Sequence, residues 1–155
     1  MTRYGSRFDQ QGVSLIEVLV ALFVLAFGML GIAGLQTMAL KANQSAFERN
    51  SAIISTTSII ERMRNNRAEA LKGSYNRSLP SGENSSCTGP TGNSTQVERD
   101  IGNWLAELST NLGTGACGAI NCSTSTLSCA VTVQWDDSRV ANGSSTQTFS
   151  VEVGI

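Results

Sequence analysis

Three groups of residues have the types and the spacing to do chemistry. The first is Glu17, which stands at the start of an uncharged apolar run, residues 18–35 (VLVALFVLAFGMLGIAGL), five positions after Gly12. A carboxylate at the edge of hydrocarbon is costly unless a fixed cation meets it. The plainer alternative is an interfacial carboxylate favoured by the positive end of a helix. The second group is Cys87, Cys117, Cys122 and Cys129, all in the C-terminal half. An even count in a Ser/Thr-rich stretch points to two disulfides and an oxidising compartment. A four-cysteine zinc site is the rival reading, but no C-x₂-C knuckle occurs among them. The third is the adjacent pair Asp136 and Asp137, which could help bind calcium. The calcium-loop pattern is absent around it, so a solvated hairpin tip is the expectation.

Composition narrows the chemistry further. The chain has 155 residues, enough for one modest core, and no histidine. That removes the commonest general base and metal ligand. There is no G-x-S-x-G, P-loop or dinucleotide fingerprint either, so an enzyme is not expected and no cofactor is called for. The net charge is −1, and after Gly73 the acids Glu83, Glu98, Asp100, Glu107, Asp136, Asp137 and Glu152 outnumber Arg77, Arg99 and Arg139. A nucleic-acid partner would favour the opposite balance.

The elements that must position these residues follow from patterning. At about 1.5 Å per residue the apolar run spans roughly 27 Å as a helix, close to a bilayer's hydrocarbon thickness. Arg3 and Arg7 precede it, so the N-terminus should stay cytoplasmic and the rest should face the periplasm or exterior. The run is too long for an ordinary secretory signal and has no A-x-A-like site after it; a plain single-span anchor is the bland alternative. Beyond Leu35 the pattern turns amphipathic without a proline before Pro80. Ala46, Ile53 and Ile60 repeat every seven residues, with Ala42, Thr56, Met63 and Ala70 at the matching offset, and the charges sit mostly off that stripe. One helix over residues 13–72 is expected, with Lys72 in its last turn and Gly73 closing it. Its membrane half is residues 13–35 and its amphipathic half residues 36–72. Gly28, Gly31 and Gly34 weaken that helix by about 1 kcal/mol each relative to Ala, so the segment either bends or melts in function or is simply tolerated in a membrane helix.

Residues 73–155 form the expected head. A Ser/Gly/Asn-rich loop leads to a short amphipathic helix, residues 96–112, with Val97, Ile101, Trp104, Leu105 and Leu108 on one face. Three strand signals follow, at 116–122, 127–135 and 147–153, with an Asn142-Gly143 turn between the last two. The fold class is α+β: a long N-terminal helix with a small antiparallel sheet. Three cysteine pairings are possible. A hairpin through residues 123–128 sets Cys122 opposite Cys129 and Ile120 opposite Val131, which leaves Cys87 to Cys117.

Gln11-Gly12-Val13-Ser14-Leu15-Ile16-Glu17, behind a basic leader and before an apolar helix, resembles the type IV prepilin cleavage motif. The resemblance implies a pilin-like fold and a leader of residues 1–12. A membrane prepilin peptidase would cut between Gly12 and Val13, and Val13 would be N-methylated. Phenylalanine is commoner at that position. Glu17 would pair with the N-terminal amine of a neighbouring subunit during assembly. The resemblance extends to the minor-pilin branch through Glu61-Arg62-Met63-Arg64-Asn65-Asn66, Asp100, Trp104-Leu105 and VTVQWDD.

Membership of that branch would imply an inner-membrane, single-pass subunit with its head in the periplasm, later carried into a cell-surface pilus. Its partners would be other minor pilins, the major pilin, the prepilin peptidase, the inner-membrane assembly platform and a tip adhesin. Its context would be pilus assembly, twitching motility and cell adhesion. The alternatives are a minor pseudopilin of type II secretion and an adhesive or DNA-uptake module at the pilus tip.

Overall fold

The computed structural model describes residues 12–80, 87–140 and 143–155. The first eleven residues of the expected leader, part of the loop after Gly73 and Asn142 of the expected turn lie outside them. The described chain runs α1 (Leu15–Asn65), α2 (Arg67–Leu71), α3 (Gln96–Leu112), β1 (Cys117–Ser123), β2 (Ser128–Trp135) and β3 (Gln147–Gly154). It divides into two compact units, Met1–Ala39 and Leu40–Ile155.

Helix α1 starts where the carbonyl of Ser14 accepts from the backbone N–H groups of Glu17 and Val18. It continues through Gly28, Gly31 and Gly34 without interruption. It stops at Asn65, short of residue 72. Asn66 leaves the helical region (φ −124, ψ 47), and α2 restarts after it. The cause is local competition: asparagine side chains draw hydrogen bonds away from a helix, and that of Asn66 donates to the Tyr75 hydroxyl. Helix α2 then closes on Gly73 at φ +81. The Gly73 N–H reaches Ala70 O and the Ser74 N–H reaches Glu69 O, a Schellman closure that needs the left-handed conformation. Helix α3 opens on a full capping box, in which Thr95 accepts from the Glu98 N–H and Glu98 accepts from the Thr95 N–H.

The three strands form an antiparallel sheet in the order β1-β2-β3. The register places Ile120 opposite Val131, Cys122 opposite Cys129 and Val133 opposite Phe149. Along β2, Cys129, Val131, Val133 and Trp135 are buried, so period-two alternation selects the core face. The core joins Ile59, Ile60 and Met63 of α1, Ile101, Trp104 and Leu108 of α3, and Ile120 and Val131 of the sheet.

The face that α1 gives to this core differs from the heptad stripe. Buried positions are Ser45, Glu48, Ser51, Ala52, Ser55, Thr56, Ile59, Ile60 and Met63. Ile60, Thr56, Met63 and Ala70 fall where the pattern puts them, but Ala42, Ala46 and Ile53 do not. Ser45, Ala52 and Ile59 are themselves seven apart, as are Glu48 and Ser55, so the inward face keeps the seven-residue spacing but is centred one position before the row of Ala46, Ile53 and Ile60. Serines line this face where the head comes close. The bulkier Phe47, Ile53 and Ile54 are left outside.

Candidate functional site

The N-terminal constellation sits on an open stretch of chain and the first turn of α1. Gly12, Val13 and Glu17 are all exposed. A Cβ added at Gly12 would meet no atom within 4 Å. The fold itself therefore does not require glycine there. Glu17 lies in the first turn of α1, where the helix N-terminus favours a carboxylate. The helix is long and apolar enough to cross a membrane, and none of its most apolar stretch is buried within the fold.

A second exposed feature lies within the unit from Leu40 onward. Leu40, Phe47 and Ile54 repeat every seven residues along α1 and are 67%, 60% and 61% exposed. Residues seven apart drift by only about 20° around a helix, so they form one row. Sequence patterning alone did not isolate this row, because it competes with the face that packs on the head.

The head is fastened to the end of α1 by a polar network. The Tyr75 hydroxyl donates to Asp100 Oδ2 at 2.7 Å, and Asn66 Nδ2 donates to the same hydroxyl at 3.2 Å. Gln96 Nε2 donates to Asp100 Oδ1, and Arg62 bridges Asp100 and Glu107. Burial, reinforced by the bond to Asp100, pushes the Tyr75 hydroxyl up to about 12, because both penalise the phenolate. Trp104 of α3 lies over β1 against Gly118, where an added Cβ would stand 2.1 Å from the ring. Arg62, Asn66 and Asp100, all within the strings that carry the minor-pilin resemblance, thus help hold the head to the helix, and Trp104, also within them, packs α3 on β1 inside the head. Tyr75 shows no signal in the sequence, because its partners Asn66 and Asp100 come from two other segments.

Two disulfides complete the head, Cys87–Cys117 and Cys122–Cys129. The second closes the β1–β2 hairpin at directly paired positions, and the first ties the long loop to the start of β1. No cysteine is free, which leaves no thiolate for a zinc ion.

The acidic pair needs a correction. Asp136 is exposed and caps a turn, accepting from the Ser138 N–H; its bonds to Ser138 hold its carboxyl below the usual range. Asp137 is not a solvated tip. It is 1% exposed, accepts from the Ser45 hydroxyl at 2.7 Å and lies 3.7 Å from Arg49. Glu48 is likewise 2% exposed and bonded to Arg139 and Gln44, although the heptad pattern sets it off the buried stripe. Both acids are drawn in because the segment after β2 folds back onto α1 and brings its own hydrogen-bond partners. Among the described residues no group of three or more His, Cys, Asp or Glu side chains is placed to hold a metal ion.

The family model for the prokaryotic N-terminal methylation motif matches residues 7–33. It covers the expected cut site, Glu17 and most of the apolar run. The match supports a type IV pilin-like protein, a pilin or pseudopilin, and with the apolar helix it fits a membrane-anchored, structural subunit. No curated protein and no solved structure matches the chain.

Proposed function

We propose that this chain is a minor pilin that helps prime type IV pilus assembly and is incorporated near the pilus tip, a subunit similar to PilV. The observation that carries the assembly role is the row Leu40, Phe47 and Ile54. A bilayer covers about 20 helical residues, so residues 15–35 use up that shelter. The row lies beyond it, and each of its side chains forgoes about 1.5–3 kcal/mol by staying in water. Helices of other subunits, minor and major, are the partners that cover it. The priming and tip assignments rest on the strings at residues 61–66, 100–105 and 131–137 that resemble the minor-pilin branch.

In this reading the prepilin peptidase cuts after Gly12 and Val13 is methylated. Before assembly the subunit waits in the inner membrane with its head in the periplasm, beside the assembly platform. Glu17 then meets the amine of a neighbouring subunit, and a tip adhesin is the expected outer partner. The second reading, a minor pseudopilin of type II secretion, is supported by the same motif.

The test pairs two variants. Gly12→Leu should leave the leader uncut, seen as a heavier band on a gel. Glu17→Ala should be processed yet incorporate poorly. Normal processing in the first and normal incorporation in the second would overturn the reading. Pairwise interaction profiling against pilus and secretion subunits separates the two systems.

A further inference from the structure

The two disulfides sit in different surroundings. Cys122 and Cys129 are both buried in the core. In the other pair Cys117 is buried, but Cys87 is only partly covered. Arg77 Nη2 stands 3.7 Å from Cys87 Sγ and 4.0 Å from Cys117 Sγ, so one guanidinium meets both sulfurs. The Arg77 backbone exchanges two hydrogen bonds with Ile120 of β1, and Nη2 also donates to Thr88 O, which fixes the guanidinium there. Arg77 Nε is buried and has no hydrogen-bond partner among the described residues. Burial disfavours the charged guanidinium and holds its pKa below the ordinary arginine value, a cost that an anion beside it relieves. When a disulfide is opened by a thiol, the anion that forms is the leaving thiolate. A neighbouring arginine lowers a thiol's pKa, and a thiol of lower pKa leaves faster.

We propose that Cys87–Cys117 is a thiol-exchange site, opened by a dithiol reductant at Cys87 with Arg77 stabilising Cys117 as the leaving thiolate. Attack falls on Cys87 because Cys117 is closed to solvent. A thiolate of the dithiol bonds to Cys87 Sγ, the Cys87–Cys117 bond breaks, and Cys117 Sγ keeps the electron pair beside Arg77. The second thiol of the reagent, as its thiolate, then closes on the first sulfur and releases Cys87 as a thiolate. Two electrons have passed to the chain, the reagent leaves as its own disulfide, and its two protons go to the new thiolates or to solvent. An oxidised dithiol runs the same steps backwards and restores the bond. Opening unties the long loop beyond Arg77 from the start of β1. Asn76 and Arg77 stay bonded to Cys122 and Ile120, and Cys122–Cys129 still closes the hairpin. Every group involved belongs to the head, so the site is independent of the assembly reading above.

The test adds dithiothreitol to the full chain in nonionic micelles. Free thiols are trapped at intervals with N-ethylmaleimide and located by peptide mass. Cys87 and Cys117 should be labelled together, roughly tenfold or more faster than Cys122 and Cys129. Arg77→Met should slow that labelling roughly threefold or more, and Arg77→Lys should restore part of the rate. A second measurement separates the charge from mere support of the loop. Cys87→Ser leaves Cys117 as a lone thiol, and its ultraviolet thiolate absorbance should give a pKa below the ordinary value of about 8.5. Adding Arg77→Met should carry that pKa above the ordinary value, because burial then acts alone; loosening of the loop would bring it only to that value. Equal or faster labelling of Cys122 and Cys129, an unslowed rate in folded Arg77→Met, or a Cys117 pKa at or above the ordinary value in Cys87→Ser would each overturn the proposal. The last decides the matter if Arg77→Met fails to fold.

Discussion

Gly118→Ala tests how α3 is locked onto β1 within the head. The new Cβ would stand 2.1 Å from Trp104 Cη2 and 2.7 Å from Cζ2 and Cζ3. Carbon atoms in contact prefer about 3.5–4.0 Å, so the overlap exceeds an ångström at the nearest atom. Neither side can yield cheaply. Trp104 is fully buried, and Gly118 is held in register opposite Val133. Overpacking of this kind costs about 1–3 kcal/mol, and a clash with a ring on one side and paired backbone on the other belongs at the upper end. For a unit of this size about 3 kcal/mol lowers Tm by roughly 10–15 °C.

Trp104→Phe shortens the ring and removes the clashing atoms, at a cost of its own of about 2 kcal/mol. The two changes should therefore couple: the double variant should lose about 3 kcal/mol rather than about 5. The assay is thermal and urea unfolding of the full chain in nonionic micelles with its disulfides intact, followed by near-ultraviolet circular dichroism. A fall in Tm below about 2 °C for Gly118→Ala, or additivity of the two within about 0.5 kcal/mol, would refute the packing argument.

Other outcomes follow from the same contacts. Tyr75 ionises at about 12 in the folded chain, above its ordinary value of 10, so the stability it contributes is complete below pH 10 and fades as pH rises through 12. Tyr75→Phe should be less stable than the parent at neutral pH and should lose the part of the alkaline decline that tyrosinate absorbance tracks. Replacing Cys87 and Cys117 with serine frees a loop of sequence separation 30, against 7 for Cys122 and Cys129. Loop-closure entropy makes the first loss about 3.7 kcal/mol and the second about 2.5, an ordering that urea unfolding of the two double variants can reverse or uphold. Phe47→Asp with Ile54→Asp should leave the unfolding midpoint of the head within about 0.5 kcal/mol, since neither side chain packs on it, yet should stop incorporation into filaments. Wild-type incorporation of that variant would show that the row is not an assembly surface.

Much of the architecture was legible in residue order because its causes are local. The uncharged run, the motif around Gly12 and Glu17, the amphipathic helix at residues 96–112 and the alternation along β2 are each read within a few positions. The hairpin register that sets Cys122 opposite Cys129 follows from period-two pairing across a short turn. The choices among equally apolar or polar surfaces were not legible. Helix α1 carries two apolar faces, and only packing decides that Ile59 and Met63 turn inward while Phe47 and Ile54 stay out.

Asp137 and Glu48 look like solvated charges in the sequence. They are buried because the segment after β2 meets α1, where Ser45 bonds to Asp137 and Arg139 bonds to Glu48. Asn66 interrupts a helix that the apolar pattern would extend, because Tyr75 and Asp100 give its side chain a partner. The sequence by itself determined the apolar run, the methylation motif that precedes it and the order of elements, which depend on hydrophobicity and short-range geometry. Only the tertiary structure decided which apolar face of the long helix stays exposed and which carboxylates are buried, since both depend on groups brought together across about ninety residues of chain.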